Sequence, residues 1–223
     1  MSGLFITFEG IEGCGKSTQI KLLADFLTEL GHDVVLTREP GGTPLAEAMR
    51  NLLLDRRDEA VAPLAELLLY EAARAQHVNT LILPALARDA VVLCDRFADS
   101  TTAYQGAGRH LAEDFIALLN RLTAGAAWPN RTFLLDLPAE DGLQRAHARG
   151  SDDRMMTEAI AFHQRIRTEF LDIARRDPKR VTVIDGNRPV ETIQQELRQQ
   201  VAAMPQLRQL AQARKKRAKR TPS

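Results

Sequence analysis

Between residues 4 and 30 the chain changes character twice, and that succession restricts the possible folds more than any other stretch. A largely apolar run, Leu4–Phe8, opens into a turn containing Gly10, Ile11, Glu12, Gly13, Cys14, Gly15, Lys16, Ser17 and Thr18, and an amphipathic segment follows to Leu30. The order is strand, loop, helix. Gly10, Gly15, Lys16 and Ser17 fall at the spacing G-x-x-x-x-G-K-[ST]. Glycines there let successive N–H groups curl into one concavity at a helix N-terminus, which is a place for an anion. The loop therefore reads as a phosphate cradle, with Lys16 reaching the outer phosphates of a nucleoside triphosphate and the Ser17 hydroxyl on Mg²⁺. A glycine-rich turn that matches by chance is the competing reading. The strand before it and the helix after it weigh against that.

A chain of 223 residues, 44% hydrophobic and 26% charged, can bury one good core, and residues 1–207 read as a single domain. No apolar run approaches the roughly 18 residues that would span a bilayer, and the N-terminus lacks a signal-peptide pattern, so the expected location is cytoplasmic. Cys14 and Cys94 fit reduced thiols better than a disulfide framework. The net charge of +1 is unevenly spread: residues 208–223 carry seven basic and no acidic residues, leaving 23 basic against 29 acidic in the remainder. Such a tail could contact nucleic acid or acidic lipid, yet a short basic end is more often a solvated, poorly ordered extension, which is the expectation here.

Further apolar runs at 33–37, 90–94, 132–137 and 181–184 read as strands. Periodic segments at 45–54, 63–86, 115–123, 140–149, 156–175 and 190–204 read as helices. The alternation predicts an α/β fold with a mostly parallel sheet, in which ligands gather at the carboxyl ends of the strands. Arg38 follows the second strand in Arg38-Glu-Pro-Gly-Gly-Thr43, either a site residue or a surface cation on a Pro-Gly turn. Asp95 and Arg96 follow the third, where an acid beside a phosphate loop can hold Mg²⁺ directly or through water, with Glu9 a weaker candidate. Tyr70 and Arg74 stand four apart on one helical face and could form a slot for a flat base, although a core aromatic beside a surface cation is commoner. Ser100, Tyr104 and Gln105 carry groups able to read a base edge. Arg145, Arg149 and Arg154 lie on a helix–loop–helix stretch, about 143–157, that reads as a lid bringing positive charge over a transferring phosphoryl group.

With these pieces assembled, the sequence closely resembles the thymidylate kinase (dTMP kinase) family over about residues 3–204. The resemblance rests on Phe8-Glu-Gly-Ile-Glu-Gly-Cys-Gly-Lys-Ser-Thr18, Thr37-Arg-Glu-Pro-Gly-Gly-Thr43, Asp95-Arg96-Phe97 and Ser100-Thr-Thr-Ala-Tyr-Gln-Gly106. The phosphate loop alone fits a great many nucleotide enzymes; the second and fourth segments are far more specific. The resemblance implies a P-loop nucleoside monophosphate kinase fold with a five-stranded parallel sheet flanked by helices. It also implies a homodimer and transfer of the γ-phosphoryl of ATP to dTMP with Mg²⁺. By the same resemblance, Arg38 and Arg96 hold the dTMP phosphate and Glu12 meets the 3′-hydroxyl. Tyr104 crowds the 2′ position, and Ser100, Gln105 and Arg74 hydrogen-bond the thymine edge. Tyr70 stands where the family usually stacks a phenylalanine, and Glu39-Pro40 falls at an expected cis peptide. Family members carry a catalytic arginine in the loop or in the lid. This loop has Gly13 and Cys14 instead, so Arg149 and Arg154 become the leading catalytic candidates beside Lys16 and Arg96, with His147 where similar sequences carry another arginine. Two rivals stand: another nucleoside or nucleoside monophosphate kinase, and a nucleotide-dependent nucleic-acid-binding switch. The second lacks an N-K-x-D base-recognition motif.

Overall fold

The structure is a computed structural model that describes residues 3–55, 58–148, 150 and 154–218. Five strands, β1 (Leu4–Glu9), β2 (Val34–Arg38), β3 (Val91–Asp95), β4 (Arg131–Asp136) and β5 (Val181–Asp185), form one sheet in the order β2-β3-β1-β4-β5. Every pairing is parallel. The α/β expectation and the strand positions hold.

Parallel strands joined by crossover helices are covered on both faces, and the residues obey that. Leu4, Ile6 and Phe8 of β1, with Val91 and Leu93 of β3, enter one core, while Phe5, Val92 and Cys94 enter the other. The period of two thus splits one continuous apolar run between two layers. Phe5, Phe8 and Phe133 are fully buried, each contributing about 2–3 kcal/mol of apolar transfer. The edge strands are more open: β2 has only half-buried and exposed positions, and β5 mixes buried with exposed ones.

The helices are α1 (Lys16–Glu29), α2 (Pro44–Leu54), α3 (Pro63–His77), α4 (Leu83–Ala87), α5 (Ala98–Thr101), α6 (Glu113–Ala124), α7 (Ala139–Ala148), α8 (Ile160–Arg176), α9 (Val190–Ala203) and α10 (Pro205–Ala218). Two expectations change. The segment 63–86 is not one helix: a π turn at Val78–Ile82 separates α3 from α4. Pro84 has no N–H to continue the ladder, and the wider turn closes with the Leu83 N–H on the Val78 carbonyl. The tail also differs from a solvated extension beginning at residue 208, because α10 continues to Ala218. Leu207 and Leu210, three apart, are buried in the core that also takes Leu197, Val201 and Met204, which anchors the start of this basic helix. Residues 219–223 lie outside the described residues. Among the described residues no helix is long and apolar enough to cross a membrane.

Candidate active site

The turn after β1 depends on glycine. At Gly10, φ is 133° and an added Cβ would lie 2.4 Å from the Leu135 carbonyl oxygen; at Gly13, φ is 74° and a Cβ would lie 1.9 Å from that of Gly142. No other residue allows loop and neighbours to approach so closely. Lys16 begins α1, is 7% exposed, and donates from Nζ to the carbonyls of Gly10 at 2.9 Å and Ile11 at 2.8 Å. An ammonium held on neutral carbonyls is ready for a stronger acceptor. Ser17 Oγ donates to Asp95 Oδ2 at 3.0 Å, so the two expected metal contacts meet. Among the described residues no group of three His, Cys, Asp or Glu side chains could hold a metal. A single hydroxyl with one carboxylate suits Mg²⁺, which keeps several waters and takes other ligands from phosphates.

Glu9 does not join that pair. It is fully buried and its oxygens accept the Phe97 N–H at 2.7 Å, the Ser100 N–H at 3.3 Å and the Ser100 hydroxyl at 2.5 Å. Its carboxyl ties down the turn after β3 instead. Burial, then the charge of Asp99, push its pKa up to about 8 against the opposing pull of Ser100, Arg96 and the Phe97 N–H.

A cleft of about 240 Å³ opens beside the loop, and Lys16, Ser17, Asp95, Arg96, Tyr70, Arg74, Ser100, Tyr104 and Gln105 all line it. Arg96 sits at φ 70°, a left-handed conformation that costs about 1 kcal/mol or more for a side chain of this kind. That conformation is braced: Nη1 donates to the Gly10 carbonyl at 2.9 Å, Nη2 to Glu12 Oε1 at 2.9 Å, and the guanidinium lies 4.9 Å from the Tyr104 ring centroid. The Tyr104 hydroxyl donates to the same Glu12 oxygen at 2.5 Å. Burial alone would raise the Glu12 pKa, but Arg96, His163, Lys16 and Tyr104 together hold it well below the usual carboxylate range. Its other oxygen, Oε2, lies 3.4 Å from His163 Nδ1 in the protein interior.

Arg74 is 2% exposed and is gripped on three sides. Nε donates to Glu39 at 2.8 Å, Nη1 to Glu71 at 2.8 Å and Asn120 at 2.6 Å, and Nη2 to Thr101 at 2.7 Å. A guanidinium has five N–H groups, so one Nη2 N–H has no acceptor among the described residues. Burial opposes its charge, but Glu39 and Glu71 raise its pKa, so it stays a cation. Tyr70, one turn earlier on α3, lines the same cleft, and burial followed by the Glu66 charge push its phenol upward. The peptide Glu39-Pro40 is cis, as expected.

Three expected residues stand elsewhere. Arg38 leaves the end of β2 towards Glu47, 2.9 Å away, with 54% of its side chain exposed and no place among the cleft-lining residues. Arg154 donates to the Leu53 carbonyl at 3.0 Å and Glu66 Oε2 at 2.5 Å, docked on α2 and α3 rather than on the phosphate loop. Arg145 donates to the Gly186 carbonyl and to Asn187, beyond β5. Arg149 lies outside the described residues.

The sequence reading passed over Arg50 and Glu66. Arg50 lines the cleft and donates to the Pro40 carbonyl at 2.9 Å. Burial, followed by the charge of Arg38, pulls its pKa down, with Arg96 adding to the effect. Cations thus crowd one wall of the cleft, as an anion site requires. Glu66 has 0% exposure and accepts from Gln105, Arg109 and Arg154. A signal existed for it: Glu66, Tyr70, Arg74 and His77 recur at helical spacing, so four polar or amphipathic groups share one face of the helix.

A five-stranded parallel sheet, a glycine-rich loop closing on a helix N-terminus, a Ser–Asp pair beside it and a cation-walled cleft define a P-loop protein of the phosphate-handling class. The family model described as thymidylate kinase matches residues 8–197. A thymidylate kinase of Geobacter sulfurreducens is 56% identical over 195 residues, which cover 85% of this chain and 92% of the relative. One from Pseudomonas putida is 54% identical over 197 residues, 88% of this chain and 94% of the relative. Among solved structures, the thymidylate kinase of Ehrlichia chaffeensis aligns with a TM-score of 0.73 at 38% identity, covering 89% of this chain and 98% of that one. The chain belongs to the thymidylate kinase family, with the P-loop nucleoside monophosphate kinase fold. Phosphoryl transfer to dTMP, giving dTDP, is that family's reaction, and neither a different nucleotide kinase nor a nucleic-acid switch is favoured.

Proposed function

We propose that this chain transfers the γ-phosphoryl of ATP to dTMP in a Mg²⁺-dependent reaction. The observation that carries it is the convergence, on one cleft, of Lys16 and the Ser17–Asp95 pair with Arg96, Arg50, Tyr70, Arg74 and Gln105. Loop amides from Gly10 to Thr18 and Lys16 hold the ATP phosphates. Bound Mg²⁺ would supply charge neutralisation between them, with Ser17 and Asp95 the residues to hold it. Arg96 and Arg50 take the dTMP phosphate, and Arg38, outside the cleft lining, contributes at longer range. Glu12 meets the 3′-hydroxyl, and Tyr104, fixed by its bond to Glu12, fills the space a 2′-hydroxyl would need. Tyr70 stacks on the base, the remaining Arg74 N–H reaches the C4 carbonyl, Gln105 accepts from N3–H, and Ser100 adds a further polar contact. The acceptor phosphate is already a nucleophile, so positioning and charge account for the catalysis rather than proton transfer. The phosphate loop has no arginine, so further charge comes from the lid; Arg149 leads, because Arg154 is engaged by Glu66.

The same proposal includes a homodimer. Leu64 and Leu68 of α3, Phe115, Leu118 and Leu122 of α6, and Leu45 and Leu52 of α2 are all at least two-fifths exposed, and α3 packs against both other helices. A cytoplasmic location fits Cys14 and Cys94, both buried and unpaired. The test is ADP release measured with dTMP, dUMP, dCMP, dGMP and thymidine. The expected order puts dTMP first with dUMP next, and thymidine inactive for want of the anionic acceptor; a preference for dCMP or dGMP would defeat the proposal.

A further inference from the structure

We propose that Glu66 decides which base edge the cleft accepts, by locking the orientation of the Gln105 side-chain amide. The proposal rests on the reading that Arg74 and Gln105 face the base. Gln105 sits in a π turn (Thr102–Gly108) after α5, is 1% exposed, and lines the cleft. Its Nε2 donates to Glu66 Oε1 at 2.9 Å.

A glutamine amide is ambiguous by nature. Turned through 180°, it exchanges a donor for an acceptor at almost no cost, so Gln105 alone could serve either a uracil-type or a cytosine-type edge. Glu66 removes that freedom. Burial would favour its neutral form, but Arg109, Gln105 and Arg154 keep its pKa below the ordinary carboxylate range, so it is an ionised group that can only accept. Turning Gln105 would set its carbonyl oxygen against a carboxylate oxygen with no proton between them. Nε2 is therefore committed to Glu66, and Oε1 is the atom left for the cleft.

Arg74 fixes the other half of the code, since a guanidinium has no acceptor and Glu39, Glu71, Asn120 and Thr101 hold it in place. Donor and acceptor side by side match a base with C4=O next to N3–H, the edge shared by thymine and uracil. Cytosine presents the opposite pair, an amine at C4 and a bare N3. The orienting carboxylate, the stacking ring and the donor occupy three successive turns of α3, at 66, 70 and 74. Glu66 is thus a positioning residue that acts through Gln105 and never touches the base.

The test compares kcat/KM for dTMP and dCMP in the full-length enzyme, Glu66→Gln and Gln105→Ala. With Glu66→Gln the amide is free to turn, and the dTMP-to-dCMP ratio should fall about tenfold or more. A ratio that stays constant, whether or not both activities drop together, would mean that Glu66 supports the structure only and would overturn the inference. Gln105→Ala separates the two layers: if it also leaves the ratio unchanged, the base-reading role itself fails; if it lowers the ratio while Glu66→Gln does not, the locking role alone fails. Against the chance that Glu66→Gln does not fold, the unmodified protein gives a second readout. The Gln105 side-chain amide protons, assigned by their loss in Gln105→Ala, should be protected from solvent exchange with and without dTMP. Exchange as fast as that of surface glutamines would overturn the lock.

Discussion

A carboxyl sealed behind a phosphate loop does not titrate as it would in water, and Glu9 carries that consequence for the whole protein. Its pKa is raised from 4.5 to about 8, so the folded protein binds a proton there that the unfolded chain releases above 4.5. The stabilisation is fully present below about 4.5 and is lost as the pH rises through about 8. Urea denaturation across that window should show stability declining with pH, and Glu9→Gln should flatten the decline; an unchanged slope would refute the assignment. The role proposed for Lys16 is in the reaction rather than in stability. Lys16→Met should lower kcat on the order of a hundred- to a thousandfold with an unaltered circular dichroism spectrum, and near-normal turnover would remove its role. Lys16, Ser17, Asp95 and Arg96 were legible in the sequence because each lies within a short contiguous motif whose local geometry fixes its direction. The direction of Glu9, named only as a weaker metal candidate, was not legible, since nothing local tells whether a strand-end carboxylate turns to the cleft or to the Phe97–Ser100 backbone. Arg38 and Arg50 show the same limit: which of two nearby arginines lines the cleft depends on how α2 packs, not on either motif.

At the scale of elements, helix α7, the root of the proposed lid, meets the phosphate loop through a glycine. A Cβ on Gly142 would lie 2.5 Å from the Glu12 carbonyl oxygen and 2.7 Å from the Ile11 side chain. Gly142→Ala should destabilise the protein by about 1–3 kcal/mol and raise KM for ATP more than KM for dTMP, as steady-state kinetics with each substrate varied would reveal. Equal effects on both constants would detach the lid root from the loop. Farther along the lid, Arg149→Ala should reduce kcat more than Arg154→Ala, given the anchoring of Arg154 on Glu66 and the Leu53 carbonyl; the reverse ranking in single-turnover measurements would make Arg154 the arginine that swings. Helix and strand positions were largely readable from periodicity. The break at Val78–Ile82 was not, because Pro84 signals an interruption without stating whether the helix stops or takes a wider turn.

For the molecule as a whole, the two apolar layers account for most of the core, while Leu45 and Leu52 of α2, Leu64 and Leu68 of α3, and Leu118 and Leu122 of α6 remain exposed. Exposed apolar area of this kind on adjoining helices marks an association surface. Leu118→Glu combined with Leu122→Glu should move the sedimenting species from twice the chain mass to the chain mass while leaving the secondary structure intact; sedimentation as a monomer without any substitution would remove the dimer from the account. The parallel sheet followed from the βαβ rhythm of the sequence, whereas the helical course of residues 205–218 did not, since the basic composition hid Leu207 and Leu210. Because all five strands run the same way, the protein has a working pole and an idle one. Ala126, exposed in the turn between α6 and β4, belongs to the idle pole. A fluorophore or an affinity handle grafted there could follow the enzyme through its cycle as a silent passenger.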